Sequence, residues 1–150
     1  MIRSLPNEQA TIDFASKLLA LMPSDLAGWT LLLSGELGAG KSTFARAFIR
    51  AAGHSGAVPS PTYTLVEPYD VSRGVIYHID LYRVSDEGEL RYLGFGEMDD
   101  GCRLIEWPER APDLKQAADL LITLSYDGDG RQADISAISE RGAALIQKIN

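Results

Sequence analysis

A short, nearly continuous apolar run, Trp29-Thr30-Leu31-Leu32-Leu33-Ser34, opens directly onto Gly35-Glu36-Leu37-Gly38-Ala39-Gly40-Lys41-Ser42. No other stretch constrains the chain as tightly. Such a run reads as a strand covered on both faces. The residues from Thr43 to Ala52 read as a helix, with Phe44, Phe48 and Ala51 on one side and Gly53 as its stop. Strand, glycine-rich turn and helix are the context in which G-x-x-x-x-G-K-[ST] builds a phosphate cradle. Glycines admit backbone conformations closed to other residues, so successive N–H groups converge on phosphate oxygens. The helix N-terminus adds unpaired donors and its dipole. Lys41 is then expected at the β and γ phosphates and the Ser42 hydroxyl on Mg²⁺. The expected nucleotide-binding stretch is Glu36, Leu37, Gly38, Ala39, Gly40, Lys41, Ser42 and Thr43. The chain has no guanine-specific Asn-Lys-x-Asp sequence, which favours ATP as the ligand.

The rest of the chain supplies an α/β pattern. Residues from Asn7 to Met22 form an amphipathic helix, with Asn7 as N-cap, Ile12, Ala15, Leu18, Leu19 and Met22 on one face, and Pro23 after it. Two prolines make Val58-Pro59-Ser60-Pro61-Thr62 a loop. Strands are expected over Tyr63 to Tyr69, Val75 to Leu81 and Arg103 to Trp107, with a short acidic helix from Ser85 to Tyr92. Leu120 to Tyr126, the turn Asp127-Gly128-Asp129-Gly130 and Gln132 to Ile138 read as a hairpin, and Glu140 to Ile149 as a closing helix. Strand–helix order early and hairpin order late imply one α/β domain over residues 1–150. The expected fold is the three-layer P-loop NTPase fold with a mixed central sheet, a parallel core and an antiparallel C-terminal hairpin.

Charge and cysteine usage exclude some functions. Fourteen Lys and Arg against twenty-one Asp and Glu give a net charge of −7, the wrong sign for a chain that grips nucleic acid alone. A single cysteine, Cys102, cannot form an internal disulfide and suits a reducing compartment; beside Leu104-Ile105 it reads as a strand-end residue, not a nucleophile. Neither a signal-peptide core nor a membrane-length apolar run is visible, so the expected location is cytoplasmic, with no membrane partner.

A P-loop site also needs an acid at the end of a neighbouring strand and a group that positions the attacking water. Asp80 and Glu106 each follow an apolar strand and both qualify. His78 alternates with Asp80 and shares its face, where a structural role is expected of it. Pro59-Ser60-Pro61-Thr62 occupies the place of a GTPase first switch, in which a Thr senses the γ-phosphate and its metal, and on spacing alone it reads equally as a plain proline-rich connector. Trp107 is open to two readings, packing or stacking on a base or partner.

Four motifs in this order and spacing resemble the TsaE (YjeE) family of bacterial P-loop ATPases: the glycine loop through Thr43, Ser60-Pro61-Thr62-Tyr63-Thr64-Leu65-Val66, Tyr77-His78-Ile79-Asp80-Leu81-Tyr82-Arg83 and Ile105-Glu106-Trp107-Pro108-Glu109. The likeness spans about residues 5 to 140. It implies an ATPase of tRNA threonylcarbamoyladenosine biosynthesis, slow alone and activated by TsaD and TsaB. Those partners modify tRNAs reading codons that begin with A, so contact with tRNA is indirect. It further implies Glu106 and Ser42 at the metal, Asp80 near the γ-phosphate beside Lys41, Thr62 as the switch-like Thr and Trp107 at the nucleotide. Departures are mild: Ser42 stands where many members have Thr, and Tyr63 replaces a frequent Phe.

Two other classes remain open. A small-molecule kinase would need an Arg-bearing lid, and only the scattered Arg83, Arg91 and Arg103 lie between the two acids. A binding module that uses ATP to select a conformation would need no hydrolysis.

Overall fold

The computed structural model describes residues 1–86 and 88–149, and of Arg91 and Tyr92 the backbone alone. Its frame is one seven-stranded sheet: β1 (Ile2–Leu5), β2 (Thr30–Ser34), β3 (Val66–Val71), β4 (Gly74–Asp80), β5 (Cys102–Glu106), β6 (Leu120–Asp127) and β7 (Gly130–Ala137). The strand order is β1-β7-β6-β2-β5-β4-β3. Strands β6, β2, β5 and β4 run parallel, while β3–β4, β6–β7 and β1–β7 are antiparallel. The parallel core and the C-terminal hairpin agree with the sequence reading.

Strand β2 lies at the centre, which explains its composition. Leu31 and Leu33 join a large core on one face, and Leu32 joins a smaller core on the other. A strand covered on both sides has no polar face to alternate with. The large core is covered by α1 (Glu8–Leu21), α2 (Lys41–Ala51) and α4 (Glu140–Ile149), through Phe14, Phe44, Phe48, Leu145 and Ile149. Each such buried side chain contributes about 1.5–3 kcal/mol. Asn7 caps α1 as expected, accepting from Ala10 N–H at 2.9 Å. The opposite face is covered by shorter pieces: α3 (Glu89–Tyr92) and 3₁₀ turns at Phe95–Asp100, Pro108–Arg110 and Pro112–Ala117. Val84, Met98 and Leu114 carry its packing.

Three elements differ from the sequence reading. Strand β3 starts at Val66, because Leu65 adopts φ 70° and its carbonyl accepts from Asp80 N–H. Pro68 lies inside β3, where an edge strand tolerates a missing donor. The expected helix from Ser85 shrinks to Glu89–Tyr92, and Glu87 of that segment lies outside the described residues. Strand β1 was not expected; four residues show no usable period, and pairing with β7 defines it.

At the end of the sheet where β2 begins, Asp119 ties three segments together. Its carboxylate accepts from Thr30 N–H (2.9 Å), Ser139 Oγ (2.7 Å) and Arg141 Nε and Nη2 (2.7 and 3.0 Å). Burial pushes this carboxyl up, but the bonds from Arg141, Ser139 and Thr30 outweigh it and hold the group below its ordinary value. Burial, with the Asp119 charge adding to it, pushes the Cys102 thiol up to about 12, consistent with an inert strand residue. No described helix is long and apolar enough to cross a membrane.

Candidate active site

The chain leaves β2 at Ser34 and makes the glycine turn at the C-terminal edge of the parallel strands, where α/β proteins place ligands. Two glycines there sit where a Cβ meets a neighbour. Gly35 has φ 144°, and a Cβ on it would run into the Leu124 carbonyl; Gly38 has φ 81°, and its Cβ would meet the Tyr126 hydroxyl at 2.5 Å. Helix α2 begins at Lys41 with Gly40 as N-cap and no side chain on its first N–H groups. The helix N-terminus therefore presents free donors to the turn. Tyr126 Oη donates to the Leu37 carbonyl (2.9 Å), and Arg131 Nε and Nη2 donate to the Gly38 carbonyl (3.3 and 3.1 Å). The C-terminal hairpin thus holds the tip of the turn, with Arg131 also stacked on the Tyr126 ring.

Lys41 is 5 % exposed, donates to the Gly35 carbonyl, and sits 3.6 Å from the centre of the Trp107 ring. Burial lowers its ammonium pKa, while the charges of Glu106, Glu109 and Asp80 pull it back up. Trp107 adopts φ 59°, a left-handed conformation costly for a large residue, which places its ring over the lysine and against Tyr82 (5.0 Å between centres).

The two acids meet across the sheet. Asp80 ends β4, Glu106 ends β5, and they stand opposite each other in register. Asp80 is held at both oxygens, by Thr62 Oγ1 (3.1 Å) and by Tyr82 N–H (2.9 Å); Ser60 in turn contacts Thr62 at 2.8 Å. Glu106 Oε1 lies 3.4 Å from Ser42 Oγ, and Oε2 lies 2.6 Å from His78 Nε2. Lys41, Ser42, Thr62, Asp80, Glu106 and Trp107 line one cleft of ≈ 350 Å³. Gly38, Gly40 and Thr43 belong both to it and to a second cleft of ≈ 300 Å³ on the far side of the turn, beside Asn7, Glu8 and Arg131. Leu37 lines the first cleft at the exposed tip, Glu36 faces an open rim with Trp107 and Glu109, and Ala39 is buried beneath the turn.

All three groups from the sequence reading, the turn, the switch-like Thr62 and the two acids, therefore converge. Four residues at the site escaped it as site residues. His78 shows the only prior signal, since it shares a face with Asp80, yet its partner Glu106 lies 28 positions away. Glu109, which accepts from Ser34 Oγ at 2.7 Å and faces Lys41, has no pattern of its own. Tyr126 and Arg131 reach the turn from about 90 positions away.

Chemically, the cleft offers an amide-lined turn and a cation for polyanionic phosphate, and hydroxyl and carboxylate oxygens for a hard cation. Among the described residues no three His, Cys, Asp or Glu side chains gather to hold a metal unaided.

Comparison with known proteins shows the family. The sequence profile described as threonylcarbamoyl adenosine biosynthesis protein TsaE matches residues 5–133. The tRNA threonylcarbamoyladenosine biosynthesis protein TsaE of Haemophilus influenzae is 36% identical over 146 residues, covering 95% of this chain and 92% of that protein. Its counterpart in Bacillus subtilis is 33% identical over 126 residues, covering 82% and 78%. The crystal structure of Bacillus subtilis YdiB superposes with a TM-score of 0.78 at 26% identity, covering 99% of this chain and 93% of that one. The chain belongs to the TsaE family of threonylcarbamoyl adenosine biosynthesis proteins.

Proposed function

We propose that this chain is an ATP-binding and ATP-hydrolysing subunit of tRNA threonylcarbamoyladenosine biosynthesis. In this reading, ATP hydrolysis is coupled to turnover of a TsaD–TsaB transferase acting on tRNAs that read codons beginning with A. The observation that carries the reading is the convergence of Lys41, Ser42, Thr62, Asp80 and Glu106 on one cleft at the end of a parallel sheet, in the manner of a P-loop NTPase fold. Lys41 and the backbone from Glu36 to Thr43 take the phosphates, with the second cleft beside Asn7 and Arg131 roomy enough for the nucleoside. Ser42 and Glu106 hold Mg²⁺, which neutralises charge on the phosphates. Asp80 and Thr62 serve the γ-phosphate and its attacking water, and Trp107 closes the phosphate side.

Two features support slow turnover in the isolated chain and activation by protein partners. The Asp80 carboxylate is tied to the Thr62 hydroxyl, so a partner that shifts the Thr62 loop re-aims the acid at the attacking water. Around the mouth stand Leu37, Tyr63, Tyr82 and Tyr126, all exposed, with Arg83, Arg110 and Arg131 on the three tyrosine rings. Exposed aromatics paired with arginine are the side chains that anchor protein interfaces. The net charge of −7 fits a subunit that meets tRNA only through its partners.

The test is ATP hydrolysis by the chain alone and with TsaD and TsaB. We expect slow release of phosphate alone, a clear rise with the partners, and its loss in Asp80→Ala. Equal rates with and without partners refute the coupling. An Asp80→Ala protein that hydrolyses nothing yet supports modification would instead make the chain a non-catalytic ATP-dependent module.

A further inference from the structure

We infer that His78 is a positioning residue for Glu106, fixing one carboxylate oxygen so that the other is presented to Ser42 and the Mg²⁺ it shares. This inference rests on the Mg²⁺·ATP reading of the cleft.

Both side chains are buried, His78 at 1 % and Glu106 at 2 % exposure. A carboxylate so removed from water needs strong compensation. Among the described residues Glu106 has two side-chain contacts, and they are unequal: 2.6 Å from His78 to Oε2, and 3.4 Å from Ser42 to Oε1. The short bond sets the orientation of the group. Carboxylates only accept, so the ring proton sits on Nε2 and His78 donates.

The other ring nitrogen tells against a packing role. Nδ1 of His78 is buried and has no hydrogen-bond partner among the described residues. The imidazole therefore bears a desolvation cost on one side while its single bond goes to the site acid. An apolar residue would fill that volume without the cost. Strand geometry places the ring correctly: His78 precedes Asp80 by two positions, so both project from the face on which Glu106 stands opposite Asp80. With Oε2 held, the plane of the Glu106 carboxylate is set before a metal arrives. Outer partners of this kind are worth roughly 10–100-fold in metal affinity.

The experiment measures ATP binding to the full chain by calorimetry, in EDTA and across a MgCl₂ series, for the wild type, His78→Leu and His78→Gln, with melting curves for each. We expect Mg²⁺ to tighten wild-type binding. His78→Leu should bind ATP in EDTA like the wild type but need about tenfold more Mg²⁺ or above. His78→Gln, whose amide N–H reaches the position of Nε2, should recover most of that loss. A wild-type Mg²⁺ response in His78→Leu overturns the inference and leaves the ATP reading standing. So does an equal loss in His78→Leu and His78→Gln, or a matching loss in EDTA, each of which marks a purely structural side chain. A wild type whose ATP binding ignores Mg²⁺ defeats the metal reading and the inference together. Nitrogen NMR of the metal-free wild type decides the point even where His78→Leu does not fold. The ring must carry its proton on Nε2; an Nδ1-protonated ring overturns the proposal.

Discussion

Asp119 and Glu106 are both buried acids, at opposite ends of neighbouring stretches of the same sheet, and they are treated in opposite ways. Asp119 is 3 % exposed and takes four donors from three residues. Glu106 is equally buried, yet it has one short bond and one long contact, and a buried ammonium stands nearby at Lys41. One end is saturated, and at the other Glu106 holds one oxygen short of a close partner. A saturated acid contributes to stability, whereas groups left short of partners raise the energy of the empty site and are satisfied when ligand arrives.

The comparison breaks most easily at Lys41. Replacing it with Met should weaken ATP binding roughly 100-fold, the equivalent of one strong charge-assisted bond. Because burial holds the lysine below its ordinary value, the folded chain pays to keep it charged, so the melting temperature should hold or rise. A clear fall in melting temperature would mean that the two ends do not differ as described.

Asp119→Ala should do the reverse. Losing the tie among Thr30, Ser139 and Arg141 should cost about 2 kcal/mol, less than a fully buried pair because Arg141 is half exposed. For a chain of this size that lowers the melting temperature by about 4–8 °C. ATP binding to the folded fraction should stay near the wild-type value, and calorimetry below the melting range checks it.

The smallest effect is in pH. Asp119 lies below its ordinary value in the folded chain, so the unfolded chain binds its proton more readily and the contribution grows with pH. The wild-type advantage over Asp119→Ala should be complete above about pH 4–5 and shrink as pH falls through the lower folded-state value. An advantage that persists unchanged in acid would assign the tie to packing instead of charge.

What the sequence discloses follows the same division. The glycine turn is legible because its requirement is local and belongs to the backbone: at Gly35, φ 144° and the Leu124 carbonyl leave no room for a Cβ. Asp80 and Glu106 are legible because each follows an apolar strand. The bond from His78 to Glu106 is not, since it joins two strands whose register no local pattern states. Tyr126 and Arg131 are hidden for the same reason, visible only as hairpin residues until β6 is seen beside β2. The start of β3 is hidden because Tyr63-Thr64-Leu65 has strand-forming side chains, while the bonds of Leu65 to Pro61 and Asp80 wrap it into the turn that carries Thr62.

The lysine of the glycine turn bears on the thermodynamics of association. Held between the Gly35 carbonyl and the Trp107 face, it is already immobile when a nucleotide approaches. Freezing a mobile lysine on binding removes up to about 2 kcal/mol of rotamer entropy. Here most of that loss occurs on folding, so capture of the phosphates exchanges one set of contacts for another without first arresting a wandering cation.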